Sequence, residues 1–276
     1  MSSSLRSKRA RVFMALGILI MLLWVFTPYY FLLASSFVQA GTIVYGFTIP
    51  PFLTLDNFKE VFGGVQAIWP FLINSIVVSG GVTLLSLIFG VPAGYGLSRL
   101  RQFSIARGMY LSFFILRMLP PMAFVIPYYL FFARTGLLDH REGLIMALLP
   151  FGLPFTIWTI KAFFDNIPPT IDESAQLEGA NPFQTFVLIS LPIVAQGIAA
   201  TALLNFLLAY VDYMFAATLA RNTAMTFSVY VVSFQNDYVV YVSAMMAAAM
   251  VGTLPMIAVY FYAQRFMQRM AIIGVL

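Results

Sequence analysis

Two stretches without a single charged side chain, residues 12–41 and 61–98, constrain this chain more than any other feature. Each exceeds the roughly 20 residues that an α-helix needs to cross a bilayer core about 30 Å thick. Over all 276 residues, 61% are hydrophobic and 9% charged, with a mean hydropathy of +0.91. Soluble domains carry about 25% charged residues, so a chain this apolar does not fold in water. In hydrocarbon every backbone N–H and C=O must be paired within the chain, and long apolar runs achieve that as helices. The expected fold class is all-α, a polytopic membrane protein.

The net charge of +5 invites a nucleic-acid reading, but the positions of the charges oppose it. Arg6, Lys8, Arg9 and Arg11 precede the first apolar run, Arg99, Arg101 and Arg107 follow the second, and Arg265 and Arg269 follow the last. Basic residues that bracket apolar runs follow the positive-inside rule and do not form a base-reading surface. The basic start followed by an apolar stretch resembles a secretory signal, but that stretch is too long and lacks a clear small-residue cleavage site. It reads as a retained first span. The sequence contains no cysteine, which excludes disulfides, thiolate catalysis and cysteine metal sites.

Six spans fit the pattern, at about 13–35, 69–97, 108–133, 143–163, 191–219 and 242–266, within a single transmembrane domain 1–276. An even number puts both termini on one side, and the basic segments make that side cytoplasmic. A polar loop at about 165–190 then lies inside the cell. The first external loop ends in an expected amphipathic helix, with Leu55, Phe58 and Phe62 on one face and Asp56 and Lys59 outside it. It either lies in the membrane interface or docks an external partner.

The inner loop has the local chemistry of two short helices around a corner. Pro168-Pro169 stops the descending chain, and Thr170 stands three residues before Glu173, a capping-box spacing. Gly179 suits a left-handed helix end. Asn181-Pro182 with Gln184 restarts the chain as an N-cap, a first-turn proline and a reciprocal cap. On this chemistry alone Glu173 is either a capping carboxylate or part of a contact surface. The elbow either rests on the bilayer or meets another protein.

Glu173, Ser174, Ala175, Gly179, Ile189, Leu191 and Pro192 stand in the register Glu-Ala-Ala, three residues, Gly, nine residues, Ile-x-Leu-Pro, with serine in place of one alanine. The loop resembles the one that marks permease subunits of binding-protein-dependent ABC importers. Leu53-Thr54-Leu55-Asp56-Asn57-Phe58, Asn74-Ser75-Ile76, Ala93-Gly94-Tyr95-Gly96-Leu97-Ser98-Arg99, Arg117-Met118-Leu119-Pro120 and Phe163-Phe164-Asp165-Asn166-Ile167-Pro168 are similar to the carbohydrate-uptake branch, that of the maltose-type permeases. Tyr210-Val211-Asp212-Tyr213 departs from it, where the branch often has Trp-Asn-Glu-Phe. The resemblance implies a two-helix coupling elbow that docks on an ATPase subunit. It further implies a second permease chain, two ATP-binding subunits holding ATP and Mg, an extracytoplasmic solute-binding protein and residence in a bacterial cytoplasmic (inner) membrane. The implied cargo is a sugar, polyol or related glycoside.

Within the spans, Arg117 and Asp212 are the candidate translocation-path residues, because an intramembrane charge costs about 2.5–3.5 kcal/mol on insertion scales and must face protein or water. Arg117 serves either the path or carbonyls freed by Pro120-Pro121, with Asp212 as a possible partner. Catalysis finds no support. The lone His140 sits in a short external loop, and the chain has neither a zinc-protease His-Glu-x-x-His nor a Gly-x-Ser-x-Gly elbow. No metal site or cofactor is expected in this chain. A phosphate-cradling Gly-x-x-x-x-Gly-Lys-Ser/Thr loop is missing too, so ATP-driven work needs a separate subunit. The rival is a self-sufficient secondary transporter or channel, which needs coupling groups in its spans and normally an internal repeat.

Overall fold

The computed structural model describes residues 2–39, 53–64, 66–100, 103–235 and 241–273. Its elements are α1 (Ser2–Ser36), α2 (Asp56–Gly63), α3 (Trp69–Arg99), α4 (Ser104–Met118), α5 (Met122–Thr135) and α6 (Arg141–Asp165). They continue with α7 (Pro169–Leu177), α8 (Pro182–Ile193), α9 (Ala195–Tyr210), α10 (Met214–Leu219), α11 (Phe227–Ser233) and α12 (Val242–Ile273). The protein is all-α, as expected. Among the described residues four helices are long and apolar enough to span a membrane: Phe13–Ser36, Trp69–Arg99, Arg141–Asp165 and Val242–Gln268. The pair α8 and α9, bent by 73°, passes the same test together. The expected span 108–133 is divided between α4 and the shorter apolar α5.

The division has a local cause. Leu119, extended at ψ 132, precedes Pro120-Pro121, and a residue before proline is pushed out of the helical region. The expected span 191–219 is also interrupted. It turns at Val194 and breaks again between Tyr210 and Met214, which leaves Asp212 in the gap.

Contacts divide the chain into two compact units, Met1–Ile68 with Val231–Thr253, and Trp69–Tyr230 with Leu254–Leu276. In the first, Asn57 is buried and its Nδ2 donates to Ser36 O at 2.9 Å and Val38 O at 2.7 Å. Ser36 O is a carbonyl that the end of α1 leaves open, and Val38 stands two residues past that end. The buried face of α2 is therefore Asn57 with Val61, while Leu55 and Phe62 are exposed and Phe58 is half-buried. The face expected from Leu55, Phe58 and Phe62 is not the anchored one, because an amide that satisfies two carbonyls outweighs apolar periodicity. Asp56 and Lys59 are exposed as expected and pair at 2.7 Å.

In the second unit α3 packs most extensively on α6. Gly90 and Gly94, one turn apart, allow the close approach. A Cβ on Gly90 would stand 2.6 Å from Thr156 Cγ2, and one on Gly94 would stand 3.0 Å from Lys161 N. Phe132, Leu144, Leu148, Phe215 and Leu219 with Val78 and Val82 form one core. Val91, Ile160, Phe164, Ile167 and Val194 form a second beneath the elbow.

The turn before α6 is held by Asp139, whose φ is 60°. Its carboxylate accepts from Asn222 N at 2.9 Å and from Thr223 N and Oγ1 at 2.8 Å each. Burial alone would raise this carboxyl's pKa, but the converging donors hold it below the ordinary value. His140 is exposed, with Nδ1 2.9 Å from Leu138 O, as befits a turn residue.

Candidate functional site: an elbow latched to the helix bundle

The elbow is α7, a corner, and the first part of α8. Pro169 opens α7 with Pro168 in the N-cap position and no side-chain cap. Thr170 is therefore already inside the helix, and its carbonyl accepts from Ser174 Oγ at 2.8 Å. The expected Thr170–Glu173 capping box does not form, because the proline pair starts the helix two residues too early. The corner is as expected: Gly179 has φ +98°, a conformation that costs a side chain roughly 1–2 kcal/mol. Ala180 N donates to Ala175 O and Gly179 N to Gln176 O, both at 3.0 Å, which closes the end of α7 as a Schellman motif. The second cap is also as expected. Asn181 Oδ1 accepts from Gln184 N and Gln184 Oε1 from Asn181 N, each at 2.9 Å. A π-helical turn over Thr185–Ser190 then widens α8 before Pro192.

Sequence reasoning missed the residue that holds the elbow in place. Asp172, 5% exposed, accepts on Oδ2 from Arg99 Nε at 2.6 Å and from Tyr95 OH at 2.8 Å. Its Oδ1 accepts from Ser190 Oγ at 2.7 Å. One carboxylate thus ties α7 to the end of α3 and to α8. Arg99 Nη1 also donates to Phe164 O at 3.3 Å and Ile167 O at 3.2 Å, in the last turn of α6 and just past its end. The Arg99 guanidinium lies 5.4 Å from the Tyr95 ring centroid, near enough for a cation–π contact. Tyr95 packs against Phe164 and Phe186 at 5.1 and 4.9 Å. Beside it Ser98 Oγ donates to Asp165 Oδ1 at 2.7 Å and Lys161 Nζ to Asp165 Oδ2 at 2.5 Å.

Burial alone would raise the Asp172 pKa. The hydrogen bonds from Arg99, Ser190 and Tyr95 outweigh it and hold the carboxyl below its ordinary value. The latch is therefore charged and charge-assisted, the strong class of hydrogen bond.

The residues expected at this site fall on two sides. Ala175 is buried, Ile189 and Leu191 are half-buried, and Leu191 packs on the second core. Ser190, which they flank, reaches Asp172. Glu173, Ser174, Gly179 and Pro192 are exposed. So are three large apolar side chains of the elbow: Leu177 at 90%, Phe183 at 72% and Leu188 at 68%. The second expected group is separate. Asp212 lines a cavity in the second unit, and its Oδ2 accepts from Ala216 N at 3.2 Å. Arg117 stands near the end of α4, and its side chain, with the suggested Asp212 pairing, lies outside the described residues.

The family model described as "Binding-protein-dependent transport system inner membrane component" matches residues 86–272, from mid-α3 through the elbow to α12. The chain belongs to this family. As a transport component of that kind it is a multi-pass membrane permease and no catalyst. A Mycobacterium tuberculosis protein named as the trehalose transport system permease protein SugB is 30% identical over 250 residues, covering 90% of this chain and 88% of the relative. The Bacillus subtilis maltodextrin transport system permease protein MdxG is 31% identical over 215 residues, covering 77% and 76%. The fold is also that of a chain in a bacterial ABC transporter involved in the import of alginate. That chain matches with a TM-score of 0.74 and 22% identity, over 96% of this permease and 98% of the solved chain.

Proposed function

We propose that this permease is the membrane half of an ATP-driven importer, carrying a sugar, polyol or related glycoside handed over by an external binding protein. The elbow carries the reading. It is bolted inward by Asp172, yet it turns Leu177, Phe183 and Leu188 outward. Exposed apolar side chains on a rigid bracket suit a protein groove better than water. ATP and Mg bind on a separate ATPase subunit, two copies of which clamp the complex. Their closure pushes the elbow as a lever, and the latch passes the displacement to α3 and α6. A second permease chain completes the pathway. The elbow and both termini face the cytoplasm of a bacterial cell, in agreement with the basic flanks. The cargo class follows the relatives named for trehalose and maltodextrin transport.

Replacing Leu177 or Phe183 by aspartate tests the docking. Losing a buried apolar anchor at a protein interface costs about 2 kcal/mol or more, roughly thirtyfold in affinity. Co-purified ATPase subunit is expected to fall accordingly, with membrane insertion unchanged. Full retention of the ATPase by both variants would contradict the docking.

A further inference from the structure

The short helix α2 stands at a boundary that the chain itself marks. The apolar part of α1, Phe13–Ser36, has 24 residues against the roughly 20 that cross a bilayer core, so Ser36 lies at the rim of the hydrocarbon. The next helix long enough to span begins at Trp69, a short step after α2 ends at Gly63. Between the two, α2 is tied to the end of α1. Asn57 Nδ2 donates to Ser36 O and Val38 O, and Thr54 N donates to Phe37 O at 2.7 Å. The Phe37 and Phe58 rings lie 5.0 Å apart. These contacts fix α2 at the level of the lipid headgroups.

Three sectors follow one another round α2 at about 100° per residue. Asn57 and Val61 are buried against the rest of the first unit. Asp56, Lys59 and Glu60 form a polar sector and are exposed. Leu55 and Phe62 form the third, with half-buried Phe58 at its edge, and Leu53 extends it just ahead of the helix. Leu53 is 68% and Leu55 59% exposed. A helix lying on a bilayer beside the end of a span meets these three surroundings: protein at its side, water above and lipid below. The neighbouring surface is already a membrane one, because α1 is exposed at every residue from Phe13 to Phe26. The apolar sector of α2 continues that interface at its rim.

Charge narrows the kind of lipid. Lys59, the one basic side chain of α2, pairs with Asp56 at 2.7 Å, and Glu60 adds a further acidic group. Anionic headgroups find no spare cation here, so the attraction comes from apolar burial. We infer that the face of α2 formed by Leu53, Leu55 and Phe62 is a lipid-binding surface, seated in the headgroup–acyl boundary of zwitterionic lipid, as amphipathic interfacial helices are. With its polar sector in water and its amide bolted to Ser36 and Val38, α2 holds the end of α1 at the membrane rim.

The chain has no cysteine, so Leu53→Cys, Leu55→Cys and Glu60→Cys each take a single nitroxide spin label, and all three positions are exposed. The full chain is reconstituted in phosphatidylcholine vesicles. Collisions of each label with oxygen, which concentrates in hydrocarbon, are compared with collisions with a water-soluble nickel chelate. The labels at 53 and 55 are expected about 5–10 Å below the phosphates, and the label at 60 in water. Adding phosphatidylglycerol is expected to leave these depths unchanged. Labels at 53 and 55 as open to nickel as the label at 60 would overturn the inference in favour of a soluble partner. Labels shielded from both reagents would overturn it in favour of a protein cover, and immersion that needs phosphatidylglycerol would overturn its apolar basis. The readout needs neither ATP nor solute, so it stands or falls apart from the importer reading.

Discussion

Asp172 and Arg99 form the pair on which the elbow turns. Removing one partner of a buried ion pair leaves the other charge stranded and costs about 3–5 kcal/mol, whereas replacing both by apolar residues is far milder. Asp172→Ala is therefore expected to uncouple ATP hydrolysis from uptake more severely than the double variant Asp172→Ala with Arg99→Met. Equal losses, measured as solute moved per ATP, would show that the charge itself is not what matters. The pH dependence follows from the lowered pKa of Asp172. The unfolded chain binds this proton more readily, so the latch contributes fully above the ordinary aspartate value of about 3.9 and is lost as pH falls through the lower folded value. The stability gap between wild type and Asp172→Asn is expected to stay constant from about pH 8 to pH 5 and to shrink below about pH 4. Thermal unfolding across that range measures it. Neither role was legible in the sequence. Arg99 looked like one more positive-inside charge, and Asp172 stood beside the more prominent Glu173. Tyr95 and Arg99 are one helical turn apart, which puts them on one face, but their common acceptor is 77 and 73 residues away and only the tertiary fold brings it there.

At the level of elements, the corner and the second cap could be read in advance because both are local. Gly179 is required by its own backbone angle, and Asn181 with Gln184 by hydrogen bonds three residues apart. The first cap was misread because Thr170 and Glu173 have the right spacing, but Pro168-Pro169 sets the start of the helix independently. The breaks after Leu119 and at Asp212 follow the same division. Proline announces the first, while the gap before α10 has no such marker. Gly179 lies in open space, so a substituted side chain clashes with nothing and acts through backbone strain. Gly179→Val is expected to cut sugar import at least fivefold (about 1 kcal/mol) with insertion and the α3–α6 core intact. Import at wild-type rates would mean that the corner's angle is not what couples.

At the scale of the whole molecule, the apolar composition dictated helices, and the fixed register from Glu173 to Pro192 marked the elbow on which the proposed coupling rests. Neither could say which side chains tie the elbow to the helix bundle. The latch does so, joining the elbow that exposes Leu177 and Phe183 through Asp172 and Arg99 to the ends of α3 and α6, and the proposed coupling takes this route. No phosphate-binding loop exists in this chain to drive it. The decisive measurement is accumulation of labelled trehalose or maltose in proteoliposomes, with and without the ATPase subunit. Uptake against a gradient is expected only when the ATPase and ATP are both present, and it should collapse when Asp172 is replaced by alanine. Accumulation by this chain alone, driven by an ion gradient and indifferent to ATP, would contradict the lever.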